Sequence, residues 1–180
     1  MKYTDIKLQT LQDKDLILTL ENNIRGGISS VMGDRYVKSD DNKKIIYMDA
    51  TNLYGHSMSQ MLPYDGIEMW YGHPDLYMNW LDEILNTPDD SDIGYFVEVD
   101  LKYPDNIKEK TKNFPFAPEN KIIDKDKYND YMNKIKPKNY IKSRKLICDW
   151  SDKKKYLIHY RMLKFYVRHS MVVQEIHDII

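Results

Sequence analysis

The sequence holds a single cysteine, Cys148, in 180 residues. One thiol excludes an internal disulfide and any zinc-knuckle pattern, and it fits a reducing compartment. No run of about 18 apolar residues occurs, so no membrane span is expected. The start, Met1-Lys2-Tyr3-Thr4-Asp5, has no apolar signal core, which predicts an intracellular, unsecreted protein with nucleus or cytoplasm left open. The glycines form no Gly-x-Gly-x-x-Gly, Walker loop or nucleophile elbow, and the chain has no internal repeat. His56, His73, His159, His169 and His177 show no metal-ligand spacing and read as ordinary.

Hydrophobic residues make up 42%, enough for a packed core in one domain or part of a larger one. The net charge of −1 conceals an asymmetry. Residues Lys134 to Arg168 carry twelve Lys and Arg against two acids, a local +10 that leaves −11 on the remainder. A basic third is the footprint of phosphate contacts, or equally a solvated face pairing with the acidic part.

The stretch Ile45-Ile46-Tyr47-Met48-Asp49 reads as an apolar strand ending on an acid. A helix follows from about Asn52 to Pro63, with Tyr54, Met58 and Met61 on one buried face. At such a strand end Asp49 is either a helix N-cap or a ligand for a metal ion. Residues 1–22 suit a short helix or leader, in which Asp13-Lys14-Asp15 is a solvated turn. Ile24-Arg25-Gly26-Gly27 is a tight turn or a place of close backbone approach. Ile28 to Val37 is expected to be extended, Ser39 to Lys44 a polar turn, and Ile67 to Trp70 extended. Pro74 to Leu85 reads as a helix with Leu76, Trp80, Leu81, Ile84 and Leu85 on one side.

Gly94 to Leu101 is the clearest strand, Val97, Val99 and Leu101 alternating with Glu98 and Asp100. The two carboxylates share a face, either as its solvent side or as a pair able to share a divalent cation. Tyr103 to Lys125 is irregular and Asp126 to Lys134 a short helix. From Tyr160 a helix turns Leu163, Tyr166 and Val167 inward and Arg161, Lys164 and Arg168 outward, and Met171 to Ile180 forms a closing strand.

Asp49-Ala50-Thr51-Asn52-Leu53-Tyr54-Gly55 resembles the first polymerase motif of family B DNA polymerases, Asp-x-x-Ser-Leu-Tyr-Pro, in the form found in the protein-primed branch of Polinton/Maverick-type mobile elements and related viruses. Three further stretches are similar to that branch, in the same order. They are Ile24-Arg25-Gly26-Gly27, Gly94 to Leu101 followed by Tyr103-Pro104, and Lys153-Lys154-Lys155-Tyr156-Leu157-Ile158-His159-Tyr160-Arg161. The resemblance covers about Asn23 to Ile180. It departs from the family where Ile24 replaces a tyrosine and where Asn52 and Gly55 replace serine and proline.

The resemblance implies an α+β fold: part of a polymerase palm, a mixed sheet with helices, plus an inserted basic α/β segment. Residues 1–22 would be a leader or remnant, 23–71 the linker loop and palm, and 72–180 the insertion towards the fingers. It implies DNA-directed DNA polymerisation with two Mg2+ ions. Asp49 and the Ala50 carbonyl would be metal ligands. Asn52 and Leu53 backbone N–H groups would face the incoming nucleotide's phosphates, and Tyr54 would exclude a 2′-hydroxyl by size. Arg25, Gly26, Gly27, Lys153, Lys154, Lys155 and Arg161 would contact DNA. The implied partners are a DNA primer-template, dNTP and a priming terminal protein, with no membrane. The family's second metal-binding acid, in Tyr-x-Asp-Thr-Asp, and its Lys-bearing helix are absent from the sequence. The expectation is therefore a fragment, degraded copy or split-gene product with little or no activity alone. The alternative is a non-catalytic module in which segment 134–168 binds DNA or a terminal protein.

Overall fold

The computed structural model describes residues 6–28, 36–135 and 143–180. Helix α1 spans Lys14–Asn22, α2 Leu53–Met58, and a 3-10 turn over Pro74–Trp80 runs into α3, Leu81–Asn86. Strand β1 covers Phe96–Lys102, α4 Asp105–Lys108, β2 Glu119–Lys121, α5 Asp130–Ile135 and β3 Lys145–Ile147. The chain closes with β4 (Lys153–His159), α6 (Tyr160–Arg168) and β5 (Val172–Ile179). The fold is α+β: an antiparallel sheet ordered β4-β1-β5 and a smaller antiparallel pair, β2 with β3. Among the described residues no helix is long and apolar enough to cross a membrane.

The core lies on one face of the larger sheet. Val97, Val99 and Leu101 of β1 are fully buried there, because alternate side chains of a strand share a face. Tyr156 and Ile158 flank them from β4 and Ile176 and Ile179 from β5. Leu163 and Tyr166 of α6, Ile84 of α3 and Tyr77 close the layer. Burying each large apolar side chain contributes about 1.5–3 kcal/mol.

Local rules explain the boundaries. Asp13 is the N-cap of α1, its Oδ1 accepting the N–H groups of Asp15 and Leu16, so this acid pair is a cap and not a free turn. α6 leaves β4 with no spacer; the Tyr160 N–H that starts it donates to Tyr95 O at 2.9 Å. It ends at Ser170 in the left-handed region (φ 72°), with the Met171 N–H returning to Tyr166 O.

Several expectations change. Ile45–Asp49 is not a strand: no neighbouring strand among the described residues pairs with it, and Tyr47 is 92% exposed. An apolar run becomes a strand only where another edge completes its hydrogen-bond ladder. Tyr54, Met58 and Met61 do not form a buried face; α2 is six residues long and buries none of them. Ile67–Trp70 forms no regular strand, although the Trp70 N–H reaches Ile179 O at 2.8 Å. The region 126–134 divides into a 3-10 turn at Lys125–Lys127 and α5. Lys164 does not face outward. It is buried, its Nζ donating to Thr87 O at 2.7 Å, pairing with Asp89 and lying over the Tyr160 ring. The expected extension of Ile28 to Val37 falls mostly outside the described residues.

Candidate functional site

The polymerase-like stretch forms an exposed bend. Asn52 adopts the left-handed conformation (φ 55°) and caps α2, its Oδ1 accepting the Gly55 N–H at 3.0 Å. Asp49 therefore is not the cap. The cap also needs an N–H and little bulk at position 55. Proline has no N–H to give Asn52, and a Cβ at position 55 would come within 2.4 Å of the Asn52 amide. Among the described residues Asp49 is exposed and makes no ion pair; Ala50, Leu53 and Tyr54 are exposed beside it, Tyr54 to 87%.

The other predicted contacts separate. Gly26 and Gly27 are open: among the described residues a Cβ on either meets nothing within 4 Å. Arg25 points inward, its guanidinium 3.8 Å from the Tyr156 ring centroid and Nη1 donating to Leu157 O at 3.0 Å. Lys153 is fully buried. Its Nζ lies 2.6 Å from Asp149 Oδ1 and 3.2 Å from Glu119 Oε2. Lys154 Nζ bonds Asp100 Oδ2 at 2.5 Å. Lys155, exposed, has φ 48° and spends its N–H on Asp100 Oδ1 at 2.9 Å. Arg161 lies 3.5 Å from Gln60 Oε1 and 3.9 Å from Asp89 Oδ2. Lys153, Lys154, Arg161 and Lys164 of the basic segment thus pair with acids of this chain, two of them buried and not on a solvated face. Lys136, Lys138 and Lys142 lie outside the described residues.

The sheet face opposite the core carries a second polar centre that sequence reading missed. Asp100 is nearly fully buried and satisfied three times, by Lys154 Nζ, the Lys155 N–H and His177 Nε2 at 2.9 Å. Glu175, its register partner on β5, lies 3.9 Å from the other nitrogen of the same ring. Asp100 is thus neither a plain solvent-face acid nor paired with Glu98. His177 is not ordinary either. The signal available was Glu175-x-His177, two polar residues on one face of the closing strand.

Burial alone would raise the Asp100 pKa, but its bonds to Lys154, Lys155 and His177 outweigh it and hold the carboxyl at about 2. Glu98, desolvated and facing Asp178, is pushed the other way. A depressed folded-state pKa stabilises the fold above the ordinary carboxylate value and ceases to do so as pH falls through the folded value. Stability contributed by Asp100 is therefore expected to disappear between about pH 4 and about pH 2. Urea midpoints measured down this range should fall more steeply for the native chain than for Asp100→Asn; parallel slopes would contradict the assignment.

No protein-family model matches the chain, and no curated protein or solved structure matches it.

Proposed function

We propose that the chain supplies one half of the two-metal centre of a protein-primed family B DNA polymerase, with Asp49 as its metal-binding carboxylate. The reading rests on one observation above all: four stretches resembling motifs of that branch follow one another in its order, the second of them around Asp49. The local geometry is compatible with it. The Asn52 cap fixes the bend and leaves Asp49, Ala50 and Tyr54 facing solvent, in no ion pair among the described residues.

An exposed carboxylate and a neighbouring carbonyl are oxygen donors of the kind Mg2+ takes, yet two donors do not complete its octahedral shell. The proposed catalytic unit therefore includes acids contributed from outside these residues. Bound Mg2+ would neutralise triphosphate charge and lower the pKa of a primer hydroxyl. This chain's part is to hold one carboxylate at the bend and to present the Tyr54 ring as a steric wall against a 2′-hydroxyl. The alternative, DNA or terminal-protein binding through segment 134–168 without catalysis, has less support, because Lys153, Lys154 and Lys164 face carboxylates of the same chain.

Mn2+ titration with dNTP, followed by NMR, tests the reading on the chain itself. Paramagnetic broadening is expected to centre on residues 49–54 and to disappear in Asp49→Asn. Broadening that ignores this substitution would overturn the metal role.

A further inference from the structure

The geometry points to a transition-metal site on the outer face of the β4-β1-β5 sheet, in which Asp100, Glu175 and His177 bind one Zn2+ ion. It is independent of the polymerase reading, and none of its three ligands belongs to that reading.

The sheet is irregular on both sides of Asp100. Against β4, the register slips between Val99 and Leu101. Against β5, Glu98 pairs with Asp178 but Val99 with Ile176, so His177 is an extra residue inserted opposite β1. A bulge of this kind re-aims a side chain. Alternation along β5 sets His177 and Glu175 on one face beside Asp100, and the bulge leaves His177 without a register partner on β1. One donor atom from each of the three lies within 4.8 Å of the others.

The donor chemistry selects the ion. One imidazole and two carboxylates suit Zn2+, with Zn–N and Zn–O distances of about 2.0–2.2 Å. Mg2+ prefers an all-oxygen octahedral shell and is disfavoured by the imidazole. Three protein ligands leave the fourth tetrahedral position to water.

The surroundings already orient the ligands. Lys154 holds Asp100 Oδ2 and the Lys155 N–H fixes Oδ1, which is the oxygen facing His177. Such contacts act as the outer shell that sets ligand direction at metal sites. The Lys154 ammonium opposes a cation, but it is bonded to the oxygen turned away from the ring and is otherwise largely exposed to water. Glu98 and Asp178 lie on the same face and add negative charge that offsets it. Zn2+ enters between His177 Nε2 and Asp100 Oδ1. The proton held there passes to Nδ1 of a neutral ring, or to solvent from an imidazolium. Glu175, more than half exposed, is free to swing onto the ion.

Calorimetric Zn2+ titration of the full chain tests the site, with Co2+ absorption as a second readout. One equivalent is expected to bind, with Co2+ giving the intense visible bands of a four- or five-coordinate ion. His177→Gln and Glu175→Gln should each weaken Zn2+ by at least about tenfold, which is 1.4 kcal/mol, while His56→Gln, at an exposed distant imidazole, should change nothing. Glu175→Gln guards against misfolding of the more buried His177 variant, since its side chain lies at the surface. Absence of Zn2+ binding, or binding that Glu175→Gln leaves unaltered, overturns the proposal. So does loss of binding in His56→Gln.

Discussion

Lys153→Ala is expected to lower the unfolding free energy by about 3 kcal/mol, the low end of what breaking a buried ion pair costs. Lys153 has no exposed side-chain surface, and its Nζ also bonds Ser151 Oγ at 3.0 Å. It joins two parts of the fold: Glu119 belongs to β2, Asp149 follows β3, and Lys153 opens β4. Removing the ammonium leaves Asp149 and Glu119 facing each other with only Lys121 between them. Burial would raise the Asp149 pKa, but bonds to Lys153, Ser151 and Lys121 hold it well below the ordinary carboxylate range, so the anion depends on these partners. Both carboxylates keep some contact with water, which is why the cost sits at the low end. Chemical denaturation of Lys153→Ala checks the figure, and Lys153→Ala combined with Asp149→Asn should recover part of the loss. A single-variant change under about 1 kcal/mol would show that the pair is screened as a surface pair is.

How far the sequence disclosed this arrangement differs from element to element, for physical reasons. β1 was legible because Val97, Val99 and Leu101 carry a period of two that only a half-buried strand explains. Spacing also disclosed α6, and the helical character of 74–86 in part: its first half is a 3-10 turn and Leu76, expected on the packed side, is exposed. The Ile45–Met48 run was not, since apolar residues announce a need for cover without specifying a neighbour that supplies it, and here they stay exposed. Lys153-Lys154-Lys155 was expected to contact DNA, yet β-strand alternation and a bulge send Lys153 inward beside Tyr156 while leaving Lys154 to Asp100. Charge count cannot distinguish a cation that meets DNA from one that meets its own chain. The Asp100–Glu175–His177 group was half legible: alternation puts Glu175 and His177 on one face, but their meeting with Asp100 depends on pairing between strands whose residues stand 77 apart in sequence. At the Asp49 bend local chemistry was enough to place the helix start within one residue, but not its end, its burial or the identity of its cap.

Leu163→Ala is expected to cost about 2–5 kcal/mol, since it removes a fully buried branched side chain and leaves a cavity where α6 meets the sheet. The neighbouring Met162→Ala, at a 48% exposed position, should stay within about 0.5 kcal/mol. The contrast tests more than packing. α6 is the connection that turns β4 back into β5, and its buried side holds Tyr160, Leu163, Lys164 and Tyr166 against the core, with Lys164 tied to the loop after α3 through Thr87 and Asp89. Loosening that side frees the hinge between the two strands that flank β1, and with it the register that sets His177 beside Asp100. Leu163→Ala should therefore weaken protection of the β5 amides from hydrogen exchange, and Met162→Ala should not. If both variants protect β5 equally, α6 rides on a sheet that holds its own register, and the bulge at His177 is a property of the strands alone.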